Sequence, residues 1–430
     1  MSYELSSSRA RVLFCDLLGL AHGRTVPAVA AKTPMHYCMT VMAQALDLRD
    51  DLVPGYGEDV GSPDMEALLD PSTLRPGWDE DTGIGIADLH RIGGLEPFEL
   101  DPRGLLRRAV AAWERETGQS PVAGFEMEFY ELAAVPDAEG RSLRPVEVPA
   151  HRVYGSGLGG DPSGTGRLIH EAAIAAGLSV QALTGEFHPG QLEVVLDHQL
   201  ALAAADEAFL FRELAREVAH REGRWITFLG KPFAGLAGSG LHLNLSATGP
   251  DGTNAFHAPD EPYGLSPTAR HAIAGVLAHH RALCAMAAPN VNAYKRLLPG
   301  AIGHRGNWGL DHRLAAVRVP GERGAATRLE YRVADGGANP YLLTAAVLAA
   351  ALLGVRNRLE LPAPRDTGAA TATAPANLAE ALDALEADVE LTELLGPEAV
   401  RTFTTLKRWE WEQWATAVTD WELRYYGRHF

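Results

Sequence analysis

The chain has 430 residues, 46% hydrophobic and 22% charged, enough for two domains with sizeable cores and typical of an ordinary globular protein. A net charge of −17 argues against a nucleic-acid surface, because duplex binding rests on basic patches; it still allows a nucleotide held by local arginines and metal ions. The longest strongly apolar run, Leu342 to Val355, is too short to span a bilayer and reads as a buried helix.

The N-terminus, MSYELSSSRARVLF, lacks the apolar core and small-residue cleavage site of a signal peptide. Cys15, Cys38 and Cys284 are far apart and odd in number, which suggests neither a disulfide framework nor a zinc knuckle. Together these features predict a cytoplasmic protein with no membrane partner. Arg11 to Leu20 reads as a strand and the following AHGRTVP (21–27) as a turn. Val53 to Gly94 is rich in Gly, Pro and Asp, with many turn signals and little periodicity. A helix begins at Asp101-Pro102, where Leu105, Leu106, Val110 and Trp113 recur at helical spacing, and a domain boundary is expected near residue 98. Further helices are predicted over Ala201–Ala219, His271–Ala288 and Pro340–Arg356, between short apolar strands. Residues 362–376 read as a low-complexity loop, and the Leu- and Trp-rich C-terminal segment as helical again. No internal repeat is visible.

Four of the strands alternate polar and apolar residues. Glu126 and Glu128 oppose Phe125, Met127 and Phe129; Glu193 opposes Leu192, Val194 and Leu196, with Glu186 just upstream. His242, Asn244 and Ser246 oppose Leu241, Leu243 and Leu245, while Arg328, Glu330 and Arg332 oppose Leu329, Tyr331 and Val333. Taken singly, each reads as a solvated outer face. Taken together they contain no lysine, which is odd for such faces. If they are neighbours facing a cavity, five carboxylates crowd together, and a like-charged pair at about 4 Å costs around 4 kcal/mol at an effective dielectric of 20. Cations must hold such a site, and carboxylates with one imidazole suit Mg²⁺ or Mn²⁺. Arginines beside them suit a polyphosphate. There is no Walker loop, and Gly155, Gly157 and Gly160, which match the dinucleotide pattern, follow no strand and read as a loop.

Six motifs then carry a resemblance: GFEMEF (124–129), EFHPGQLEV (186–194), FLGKPFAGLAGSGLHLNLS (228–246), NAYKRLLPG (292–300), NWGLDHRLAAVRVP (307–320) and RLEYRVADGGANPYL (328–342). In this order and spacing they resemble the glutamine synthetase superfamily over nearly the whole chain. The resemblance implies an α+β protein: a β-grasp domain over residues 1–98, then a catalytic domain over 99–430 with a curved antiparallel sheet and surrounding helices. It implies a homo-oligomer of stacked rings, typically a dodecamer. It also implies a ligase that phosphorylates glutamate with ATP and lets an amine displace the phosphate. By the same resemblance Glu126, His242 and Glu330 would hold one divalent cation, and Glu128, Glu186 and Glu193 another. Arg296 would take the α-carboxylate of glutamate, the Gly238 carbonyl its α-amino group and Arg332 the reacting γ-carboxylate. Arg313 and Arg318 would face the ATP phosphates, and Ser246 would contact the nucleotide.

The departures bear on the amine. Where glutamine synthetases carry a flap glutamate after Pro-Gly, this chain has Ala301, Ile302, Gly303 and His304. Ala237 and Asn244 replace an Asn and a His of the family motifs, and residues 55–65 contain no clear match to the segment that supplies an ammonium-binding Asp. Residues 357–380 contain no tyrosine, so control by adenylylation is not expected. The pattern is similar to the γ-glutamyl-polyamine, -ethanolamide and -alkylamine ligases. If the amine carries a distal ammonium, Glu58, Asp59 or Asp64 is its available partner, at a subunit boundary. Two alternatives stay open: a glutamine synthetase using ammonia, and a catalytically silent relative.

Overall fold

The structure, a computed structural model, describes residues 7–94, 96–135, 142–364 and 372–430. Six strands precede the first long helix: β1 (Arg9–Cys15), β2 (Ala21–Pro27), β3 (Met35–Cys38), β4 (Asp64–Leu69), β5 (Arg75–Pro76) and β6 (Thr82–Arg91). They form one sheet in the order β2-β1-β6-β4-β3, with β5 on β6, and β1 runs parallel to β6. This is the small strand-rich domain expected at the N-terminus.

Two local expectations fail in it. The segment AHGRTVP is strand β2, not a turn, paired with β1 from Ala21 opposite Cys15 to Pro27 opposite Arg9. The turn lies earlier: Asp16 Oδ1 accepts from Leu18 N (2.9 Å) and Leu20 N (2.8 Å), so the strand predicted to reach Leu20 ends at Cys15. Gly23 sits in this strand for close approach, since a Cβ would lie 2.1 Å from Val12 O. The stretch from Val53 to Gly94, aperiodic in sequence, contains β4, β5 and β6. Its Gly85 packs under β4, where a Cβ would meet Leu69 Cδ1 at 2.6 Å.

Helix α1 (Pro102–Thr117) starts where predicted, with Asp101 Oδ1 accepting from Arg103 N at 3.1 Å and Pro102 in the first turn. Then come β7 (Ser120–Val135), β8 (Ser142–Pro145), α2 (Thr165–Ala175), β9 (Val180–Gly185), β10 (Gln191–Leu200), α3 (Ala201–Arg221), β11 (Trp225–Thr227) and β12 (Leu241–Thr248). They are followed by α4 (Pro267–Ala278), α5 (His280–Ala287), β13 (Trp308–Leu310), β14 (Val317–Val319), β15 (Leu329–Tyr331) and α6 (Pro340–Arg356). Helices α7 (Leu378–Ala387), α8 (Val389–Leu395), α9 (Pro397–Thr416) and α10 (Asp420–Tyr426) end the chain. The single helix predicted over His271–Ala288 is two, α4 and α5, broken at His279 (φ −93°, ψ 11°), whose ring Nδ1 lies 2.6 Å from Asp388 Oδ2. Residues 365–371 of the expected loop at 362–376 lie outside the described residues.

The second sheet has the order β13-β14-β15-β12-β7-β10-β9, with β8 and β11 on β7; its pairs are antiparallel except β13 with β14. One face packs on helices: Phe125, Met127, Phe129, Leu192, Val194, Leu241 and Leu243 are all buried, and α1 and α3 touch β7. Helix α6 is apolar all round and buried from Pro340 to Gly354, so it sits at the centre of the helical layer. Asn339 Oδ1 caps it, accepting from Tyr341 N (2.9 Å) and Leu342 N (3.3 Å). Among the described residues no helix is long and apolar enough to cross a membrane.

Candidate functional site

The four strands with alternating polar faces are neighbours, in the order β15-β12-β7-β10. Directly opposed residues of antiparallel strands share a face, so register decides which side chains meet. His242 stands opposite Glu126, and Glu193 opposite Glu128. Glu330 stands opposite Asn244 on one side and Arg318 on the other. With the apolar residues committed to the core, the polar ones converge on the other face.

Ligand atoms of Glu126, His242 and Glu330 lie within 4.8 Å of one another, as do those of Glu128, Glu193 and His242. His242 is the bridge: Nδ1 is 3.3 Å from Glu126 and 3.6 Å from Glu330, and Nε2 is 3.9 Å from Glu128. Glu186, just beyond β9, lines the same cavity but belongs to neither group. Burial, then the charges of Glu126, Glu128 and Glu186, pushes the Glu193 carboxyl up to about 8. Burial and Glu128 push Glu186 up as well. Glu126 goes the other way: burial opposes its charge, but hydrogen bonds from His242 and from Asn244 (3.0 Å) hold it well below the usual carboxylate range. This donor set, carboxylate oxygens with one imidazole and an excess of negative charge, fits a hard divalent cation.

Glu330 is fully buried, and both its oxygens are engaged by arginines. Arg318 Nη1 donates to Oε2 at 2.8 Å, and Arg332 donates to Oε1. Arg332 Nε also donates to Arg313 O (3.0 Å), and Arg318 Nη2 to Asp311 Oδ1 (2.6 Å). Arg296 is pinned by donating from Nη1 to Val333 O at 2.8 Å. Arg296, Arg313, Arg318, Arg332 and Gly238 line one cavity of about 990 Å³ with Glu126, Glu128, Glu186, Glu193 and His242. Ser246 does not line it; it stands in an adjoining groove of about 280 Å³ that shares Glu126 and Arg328 with the cavity.

Several residues of the site carry no sequence assignment. Gln191 Nε2 donates to Gly238 O (3.0 Å) and Tyr130 Oη to Ala237 O (3.0 Å), so together they hold the glycine-rich loop over the cavity. Arg328 Nε donates to Asn244 Oδ1 at 2.9 Å, and its place on a polar face was its signal. Lys231, Lys295, Phe187 and Leu314 line the cavity from within the motifs, whereas Tyr154 lines it from an irregular segment outside them, where no periodicity points to it.

Residues 99–426 match the family described as glutamine synthetase, catalytic domain. The chain is 33% identical to the glutamine synthetase of Methanocaldococcus jannaschii, over 97% of this chain and 94% of that one. It is equally 33% identical to the glutamate–isopropylamine ligase of a Pseudomonas species, over 88% and 85%. The ligand-free structure of GmaS superposes with a TM-score of 0.84 at 31% identity, over 98% of this chain and 96% of that one.

Proposed function

The chain belongs to the glutamine synthetase family, ligases that use ATP and divalent metal ions, and on that premise we propose that it joins the γ-carboxylate of glutamate to an organic amine. The observation that carries this reading is the cavity wall at Ala301 and Ile302, where a flap carboxylate would serve ammonia. An ammonium pocket is small and needs a negative charge, whereas an apolar wall suits a carbon chain. The name of the isopropylamine ligase relative fits an organic amine, and that of the archaeal glutamine synthetase fits ammonia.

In this reading Glu126, His242 and Glu330 hold one Mg²⁺ or Mn²⁺, and Glu128, Glu186 and Glu193 a second. When bound, the cations neutralise the oxygens of the phosphoryl group in transfer. Arg313 and Arg318 face the ATP phosphates, and Ser246 in its groove contacts the rest of the nucleotide. Arg296 pairs with the α-carboxylate of glutamate, and the Gly238 carbonyl accepts from its α-amino group. Arg332 steers the γ-carboxylate onto the terminal phosphorus. The neutral amine attacks the resulting γ-glutamyl phosphate, loses a proton and expels phosphate. Residues 1–98 form the β-grasp domain, and its loop meets the site of the next subunit in a ring, a dodecamer of two stacked rings in the cytoplasm. The deciding measurement is kcat/KM, read as phosphate release, for ammonia against short alkylamines and ethanolamine. We expect the amines to win; ammonia winning makes the chain a glutamine synthetase proper, and no turnover with any of them makes it a silent relative.

A further inference from the structure

In the reading above, the α-amino group of glutamate meets the Gly238 carbonyl, and that carbonyl belongs to a loop with little freedom. Residues 228–240 run irregularly from β11 to β12. Lys231 N donates to Asn292 Oδ1 (2.7 Å), Asn292 Nδ2 to Lys231 O (2.9 Å), and Lys231 Nζ to Leu236 O. At the other end Ser239 N donates to Gly230 O (2.9 Å) and Gly240 N to Glu128 Oε2 (2.7 Å). Gly238 is tightly packed: a Cβ would lie 2.6 Å from Gly230 O and 3.0 Å from Arg296 Cδ. The loop and the arginine proposed for the α-carboxylate therefore form one packed unit.

Ala237 brings no polar side chain to this loop, and a second segment grips its middle instead. The turn His188-Pro189-Gly190-Gln191 joins β9 to β10. Gln191 N donates to His188 O (3.0 Å), and proline followed by Gly190 at φ 74° suits a type II turn. A Cβ on Gly190 would lie 2.9 Å from Val146 N, so the turn is wedged against its neighbour. Both ends of the turn reach the loop. Gln191 Nε2 donates to Gly238 O (3.0 Å), and His188 Nδ1 accepts from Ala237 N (3.0 Å). Tyr130 Oη donates to Ala237 O (3.0 Å). Three of these contacts with residues 236–238 donate to carbonyls; His188 is the acceptor among them. With Lys231 on its oxygen and His188 on its N–H, the peptide unit between Leu236 and Ala237 is fixed at both ends. Freed at the N–H, it can rotate and carry the Gly238 carbonyl off its line, and hydrogen bonds are directional.

We infer that His188 is a positioning residue, whose Nδ1 holds the Ala237 N–H and so aims the Gly238 carbonyl at the α-amino group of glutamate, which rests on the ligase reading above. The test uses the full-length protein with Mg²⁺, ATP and glutamate, and reads phosphate release with butylamine or ammonia, whichever the parent turns over faster. His188→Ala should raise KM for glutamate about tenfold. KM for ATP, KM for the amine and the half-saturating Mg²⁺ concentration should each move about twofold at most. His188→Asn restores an acceptor and should recover most of the loss, whereas His188→Leu, bulky but without one, should not. Should His188→Ala fail to fold, the comparison of Asn with Leu carries the test. A near-normal KM for glutamate in His188→Ala and His188→Leu overturns the inference, as does Asn recovering no more than Leu. So does a shift shared with ATP, which marks a general disturbance, or one in the amine or Mg²⁺, which moves the role of His188 to the amine or to Glu186. A parent that releases no phosphate with glutamate and either amine overturns the ligase reading itself.

Discussion

Glu193 faces Glu128 across two strands with Glu126 and Glu186 nearby, so without a cation the sheet carries a repulsion it would be better off without. Glu193→Gln should raise the stability of the chelator-treated protein by about 1 kcal/mol and reduce the gain in Tm that Mg²⁺ or Mn²⁺ gives the parent. Thermal unfolding with and without metal checks both; a variant that still gains fully from metal removes Glu193 from the cation site. His280 poses a different question, because it is buried and its Nε2 has no partner among the described residues. Burial, then the positive charges of Arg281 and His304, holds its imidazole down at about 4. The unfolded chain takes up this proton near pH 6.5, so stability from His280 is complete above that pH. It is lost as pH falls through the window towards about 4, by at most about 1.4 kcal/mol per unit. Urea midpoints at pH 7 and pH 5 should converge more for His280→Leu than for the parent. At this scale the polar faces were legible, because alternation needs no knowledge of the fold. The clamp of Arg318 and Arg332 on Glu330 was not legible, since it depends on how β14 registers against β15.

Among the elements, helix α1 is anchored by one side chain. Arg103 Nε and Nη2 each donate to Asp206 of α3 at 2.8 Å, and Nη2 also reaches Asp70 at 2.9 Å. Arg103 further contacts Asp88 of β6, and Tyr341 of α6 donates to Asp206 at 2.8 Å. The network ties the N-terminal sheet to three helices. Arg103→Met would leave Asp206 buried without its counter-charge, which should cost about 3–5 kcal/mol in urea unfolding, and adding Asp206→Leu should restore part of it. A cost below about 1 kcal/mol would mean that the network contributes little. Helices capped by Asp101-Pro102 and Asn339-Pro340 were readable to the residue, because the cap is a local chemical signal. Strands β2 and β6 were not, because their glycines serve close packing, and in sequence a packing glycine and a turn glycine look alike. The break at His279 was hidden too, since the apolar pattern runs through it.

For the whole molecule, the proposed ring assembly predicts a particle twelve times the 46.1 kDa chain in native mass spectrometry; a protomer-sized species at working concentration would refute it. The order β15-β12-β7-β10 has one more consequence. It draws the site from residues 126, 128, 193, 242 and 330, so no fragment of the chain owns the site, and the last ligand to arrive closes a loop of some 200 residues. A cation cannot find its cage in the unfolded chain, and a half-built sheet presents it only a pair of ligands. Metal release on denaturation should therefore coincide with melting of the sheet, which makes the ion an internal reporter of global folding.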